Sequence, residues 1–175
     1  DNSINYFFNP NTNYLEQVKE EIKSESREVY QSRLIKLRED LDNESFEEEI
    51  YVRNSIFKKE IPKLYNYTCC ISELRIDATE NISMIDACHI IPFSESYDDT
   101  ITNGIALCPN LHRAFDRGLI TVDRNYKVQV KHNFTEAFES FYSIKQFDGK
   151  KILLPEDTAY YPSMESLNSH HYKFG

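Results

Sequence analysis

At 175 residues the chain is long enough for one domain with its own core, or a small domain with a helical attachment, and too short for two large ones. Hydrophobic residues make up 40% and aromatics 13%, while only 4 glycines and 6 prolines exclude a repeat or low-complexity protein. A net charge of −9 weighs against a broad basic surface for phosphate backbones, although residues 1–60 hold −5 of it and the remainder only −4.

The chain begins at Asp1, and sequence upstream of it is allowed for. The opening DNSINYFFNPNTNYLEQ lacks the basic start and apolar middle of a secretion signal, and there is no run of about eighteen apolar residues, so the expected compartment is the cytoplasm with no membrane contact. From Tyr14 to Leu41 apolar residues fall at Leu15, Val18, Ile22, Tyr30, Leu34, Leu37 and Leu41, spacings of one long amphipathic helix or two. Their charges read as a solvated face. Ser45 and Glu48 form a capping-box pattern ahead of the stripe Ile56, Phe57, Ile61, Leu64 and Tyr65, with Pro62 expected to kink or end that helix.

Beyond Tyr67 the texture changes. TCCISELRI and ISMIDACHII read as short strands, followed by the turn-rich loop PFSESYDDTITN and the strand GIALC. PNLHRAFDRG reads as a helix with Pro109 in its first turn and Gly118 as its stop. LITVDRNYKVQV alternates as a hairpin turning at Asp123-Arg124-Asn125. A helix is expected over Thr135–Tyr142 and a short strand at KKILLP.

The chemistry concentrates in Asp86–Gly118, where two histidines, two cysteines and five acidic residues fall within thirty-three positions. His89 ends a strand, Asn103 opens the next, and His112 lies nine residues on, in a helix. A strand, loop, strand and helix of those lengths bring both histidines toward a common point. The four cysteines, at 69, 70, 88 and 108, form no regular framework and read as reduced thiols, with convergence on a structural zinc the minor alternative.

CHIIPF, NGIALC and LHRAFDRG resemble the His-Asn-His signature of the HNH, or ββα-metal, endonucleases, and in particular the branch found in prokaryotic restriction and antiviral defence proteins, where HxxFDRG closes the motif. The resemblance covers about Tyr65 to Val130 and weakens toward the terminal HHYKF. It implies an α+β protein, a ββα-metal nuclease domain over residues 61–175 preceded by a helical segment over residues 1–60 that serves as spacer, dimer surface or junction to a further domain. It also implies that His89 is the base that activates water, Asn103 the residue that holds loop and strand in register, and His112 a ligand of one divalent metal. Imidazole suits the first task because an ordinary value near 6.5 leaves a large neutral fraction at neutral pH.

Many members place a metal-binding Asp or His directly before the base; here that position is Cys88, which reads as a packed thiol. Asp86 shares a strand face with it by period-two geometry and is the expected substitute ligand. Asp116, four residues after His112 on the same helix face, is a further expected ligand. Magnesium or manganese is the expected ion, with zinc and nickel compatible. Arg113 and Arg117 are the expected phosphate contacts, ahead of Lys127, Lys131 and Arg75. The expected substrate is DNA, with a homodimer through the N-terminal helices if both strands are cut. The rival reading is an HNH-like binding module, stabilised by metal and catalytically inactive.

Overall fold

The structure, a computed structural model, describes residues 11–77, 82–137 and 140–174. Three helices come first: α1 over Thr12–Ser24, α2 over Arg27–Asp40 and α3 over Asn43–Leu64. Each opens on a side-chain cap that satisfies an otherwise free backbone N–H: Asn11 accepts from Asn13, Ser26 from Val29 and Asp42 from Ser45. The expected capping box therefore gives way to Asp42, three residues upstream of Ser45. Pro62 does not end α3. It lies in the last turn, where little of the hydrogen-bond ladder remains to be lost, and Ile56, Phe57 and Ile61 anchor the helix by burial.

Part of the charge on these helices is internal rather than solvated. Arg53 is 2% exposed and bridges Glu21 at 2.9 Å and Glu49 at 2.7 Å, with its guanidinium 5.5 Å from the Tyr30 ring. Tyr14 bonds Glu49, and Arg33 pairs with Glu21 and Glu25. A buried guanidinium is tolerated only when carboxylates surround it, and these come from neighbouring turns and a second helix.

The central hairpin pairs β1, Asp86–His89, with β2, Gly104–Leu107, antiparallel, in the register Asp86 to Leu107 and His89 to Gly104. Every residue of β2 is buried because helices cover it: α3, and α5 over Pro109–Asp116. At Gly104 a Cβ would lie 2.3 Å from Ile61 Cδ1 and 2.8 Å from Phe57 Cζ, so glycine lets α3 seat directly on the strand. The boundary expected between residues 60 and 61 falls inside α3, and Val18, Ile22, Phe57 and Ile61 share one core with Ile90, Ile105, Leu107 and Phe115.

Two of the expected strands do not form as read. The segment around Cys69–Ile71 is a set of turns entered through Asn66 and Tyr67 at φ of 50° and 52°. Its β-prone residues use their backbone singly: Cys70 N–H donates to Ala106 and its carbonyl accepts from Leu153. Of ISMIDACHII, only Asp86–His89 is strand, with part of the preceding DATEN outside the described residues. The hairpin of β3, Ile120–Val122, and β4, Val128–Val130, forms, with Asp123 accepting from Asn125 and Lys127 across the turn. The described residues of 135–142 hold no helix, since the Glu136 carboxylate is taken up by Ser143 and Ile144; residues 138 and 139 lie outside the described residues. KKILLP contributes one bridge, Lys127 to Lys151.

A single helical turn, α4, spans Phe93–Ser96, and a C-terminal helix, α6, spans Met164–Phe174. α6 docks on β3 through Leu167 and His170. His170 stacks on Phe115 at 3.7 Å and donates from Nε2 to the Phe115 carbonyl at 3.1 Å, leaving Nδ1 buried without a partner among the described residues. Burial lowers its pKa from 6.5 to about 4. The unfolded chain takes up this proton below about pH 6.5, whereas the folded chain resists until about pH 4, so the stabilisation is complete above that window and lost as pH falls through it. Thermal melts between pH 7 and 4 should show His170→Gln losing part of the wild-type acid slope, a difference worth up to about 3 kcal/mol.

Candidate active site

The end of β1, the loop from Ile90 to Thr102 and the start of β2 form one closed unit, and Asn103 closes it. Its side chain is fully buried; Oδ1 accepts from Ile91 N–H at 3.0 Å, while Nδ2 donates to the carbonyls of Ile91 at 3.0 Å and Asp98 at 2.9 Å. Its carbonyl accepts from Ile90, extending the ladder one step beyond His89. A carboxylate could not supply both donors, which is why an amide stands here. The neighbouring Asp98 accepts from Thr100 N–H and from Arg27 Nε at 3.0 Å. Arg27 also reaches Glu165 and Ser166 on α6. One guanidinium from α2 thus ties the loop to the C-terminal helix.

His89 leaves β1 toward α3. Its ring lies on Phe57, centroids 3.9 Å apart and planes 11° apart, and its Nε2 is 2.7 Å from Asp99 Oδ1. Asp99 is fully buried; Asn54 on α3 donates to the same oxygen at 3.4 Å, and Oδ2 has no partner among the described residues. The imidazole is 16% exposed and lines a small cleft with Pro92, Glu95, Asp116 and Lys173. Neither Asp99 nor Phe57 stands out in the sequence. Adjacent acids in a turn-rich loop and an aromatic in a helical stripe carry no local mark of their contact with His89.

α5 presents His112 alongside β1, and the Asp116 carboxylate that meets it also lines the cleft of His89. Pro109 at its first position and Gly118 just past its end, at φ 64°, delimit the helix, and Leu111, Ala114 and Phe115 bury one face. The other face carries His112 and Asp116, with Asp116 Oδ2 3.5 Å from His112 Nε2. Asp86, from the strand, meets the other nitrogen: its Oδ2 is 3.2 Å from His112 Nδ1. The donor atoms of Cys88, His112 and Asp116 lie within 4.8 Å of one another. An imidazole, an exposed carboxylate and a buried thiol gathered there form a donor set that suits a divalent ion. Cys88 itself is fully buried, its thiol pushed up by burial and by the Asp116 charge.

Arg113 lies exposed on α5 and Arg117 exposed at its C-cap. Arg75 pairs with Asp77, and Lys131 sits 5.9 Å above the Phe174 ring. Lys127 is also exposed. The four thiols are free and do not gather into one set among the described residues. Cys108 donates to Cys69, which lowers the Cys69 thiol and raises that of Cys108, whereas Cys88 stands apart with His112 and Asp116. Replacing Asn103 with alanine would strand the Ile91 and Asp98 backbone groups in a dry interior. Asn103→Ala should lower stability by about 2–4 kcal/mol, measured by denaturant unfolding.

The match to a family model for HNH endonucleases covers residues 69–123, spanning β1, the loop, β2, α5 and β3. No curated protein matches the chain. Among solved structures, the chain is similar to one titled "Modification dependent TagI restriction endonuclease", at a TM-score of 0.49 and 17% identity over 67% of this chain. It spans 37% of that protein's length. No helix among the described residues is long and apolar enough to cross a membrane. His89, Asn103 and His112 all stand in the segment, residues 69–123, that matches the HNH endonuclease model.

Proposed function

We propose that the protein is a metal-dependent endonuclease that hydrolyses DNA phosphodiester bonds with one divalent ion, in restriction or defence against foreign DNA. The observation that carries the reading is a shared cleft: Asp116, which lies on the helix face with His112, also lines the cleft of His89, and Asp86 meets the other nitrogen of His112. The restriction setting rests on the sequence signature HxxFDRG.

His112 and Asp116 would hold the ion, and Asp86, on the opposite ring nitrogen, would fix the ring so that Nε2 faces it. When bound, such an ion supplies positive charge to the scissile phosphate and to the oxygen that leaves. His89 accepts the proton of the attacking water. Asn103 keeps the strand end that bears His89 in place. Arg113 and Arg117 contact flanking phosphates, which the acidic remainder of the chain is unsuited to do. Each site cuts one strand, so nicked plasmid precedes linear product, and linear product requires a second copy or a second visit.

Nicking of supercoiled plasmid with magnesium, manganese or EDTA tests the reading. Cleavage should require the metal, and His89→Ala should abolish it while leaving calorimetric metal affinity nearly unchanged. Binding of DNA without cleavage in any metal would make the protein a binding module instead. Asp86→Asn and His112→Ala should each raise the metal needed for half-maximal cleavage, by about 10-fold or more. Cys88→Ala should change it little. If Cys88→Ala instead weakens metal binding as much as His112→Ala and zinc displaces manganese, the thiol is a ligand and the ion is a softer one.

A further inference from the structure

We infer that Asp99 is the positioning residue of the base, and that helix α3, outside the segment matched to the HNH family, completes its setting; this rests on the reading of His89 as the base. Asp99 Oδ1 and His89 Nε2 are 2.7 Å apart. An ionised carboxylate can only accept, so Nε2 carries the hydrogen and the neutral ring keeps its lone pair on Nδ1. The ring plane is set independently by Phe57, stacked at 3.9 Å, and the Asp99 oxygen by Asn54, both on α3. Two residues thus define which nitrogen is basic and where it points.

The surroundings of Asp99 argue against a purely structural task. A fully buried carboxylate is costly unless each oxygen is satisfied, yet among the described residues Oδ2 has no partner, and the buried Tyr30 phenol likewise has none. Burial and the Asp99 charge push that phenol up. A chain selected for stability alone would gain by a neutral group here. Beside His89, that charge favours an imidazole that becomes cationic. In the reaction, an O–H bond of water breaks and its proton forms the Nδ1–H bond of His89. The oxygen keeps the electron pair and bonds to phosphorus, while the P–O bond breaks with its pair leaving on the 3′ oxygen, which takes a proton from solvent. Asp99 stabilises the imidazolium so formed without taking the proton.

The decisive variant is Asp99→Asn, which keeps the shape and removes the charge, compared with Asp99→Ala and His89→Ala on the full chain. In plasmid nicking, Asp99→Asn should lower kcat by about 100-fold or more, with KM and the half-maximal metal concentration within about twofold of wild type. Its melting temperature should hold or rise, because a buried charge has been neutralised. Imidazole 15N resonances of the metal-free protein should show His89 protonated on Nε2 in the wild type and this single tautomer lost in Asp99→Ala. A kcat within about threefold of wild type in Asp99→Asn overturns the proposal, as does a fall in melting temperature that accounts for the lost activity. If His89→Ala nicks normally, the base assignment fails and Asp99 with it. If His89→Ala is inactive while Asp99→Asn is fully active, only the role of Asp99 fails.

Discussion

The arrangement depends on one buried amide. The loop between β1 and β2 has no regular ladder of its own, so its backbone groups need partners inside the protein. Asn103 supplies three of them from a single side chain, tying Ile91 and Asp98 to the first residues of β2. Once those distances are set, His89 must leave the strand beside Asp99, because the turn that carries Asp98 has no freedom left. The β1–β2 register fixes Asp86 opposite Leu107, two residues before α5 begins, and so places the Asp86 carboxylate beside His112.

A second constraint is electrostatic. The chain is acidic overall, yet its interior cations are the ones that join segments. Arg53 holds α1 and α3 together through Glu21 and Glu49. Arg27 joins α2, the loop and α6 through Asp98, Glu165 and Ser166. Both are arginines, whose forked guanidinium satisfies several acceptors at once where an ammonium would not. The acidity of the N-terminal helices is in part the counter-charge for this internal wiring.

How much of this was legible in the sequence follows from the range of each interaction. Helices α1 to α3 and α5 declared themselves through three-and-four spacing and local caps, and the strand, loop, strand and helix order through turn formers and the spacing of His89, Asn103 and His112. Ser45 misled because two capping patterns overlap and Asp42 holds the earlier one. Cys69–Ile71 misled because β-branched and sulfur-bearing residues suit any buried backbone, including a turn that bonds once to each of two separate segments. Glu136 turned the expected helix at 135–142 into a side-chain-capped turn. The contacts of His89 with Phe57 and Asp99 left no periodic trace: they join residues 32 and 10 positions away, one in a helical stripe that already had a packing reason to exist.

The absence of a side chain at Gly104 bears on how such a domain can be moved between proteins. Because α3 rests on bare backbone there, the strand that carries the signature presents a shallow seat shaped to Ile61 and Phe57. A foreign helix offering different bulk at those two positions would sit higher, and the imidazole of His89 would lose the ring beneath it. The portable unit is therefore larger than its signature: a graft into another scaffold, or a recombination event, must carry α3 along with residues 69–123, since the seat and the helix that fills it are two halves of one shape.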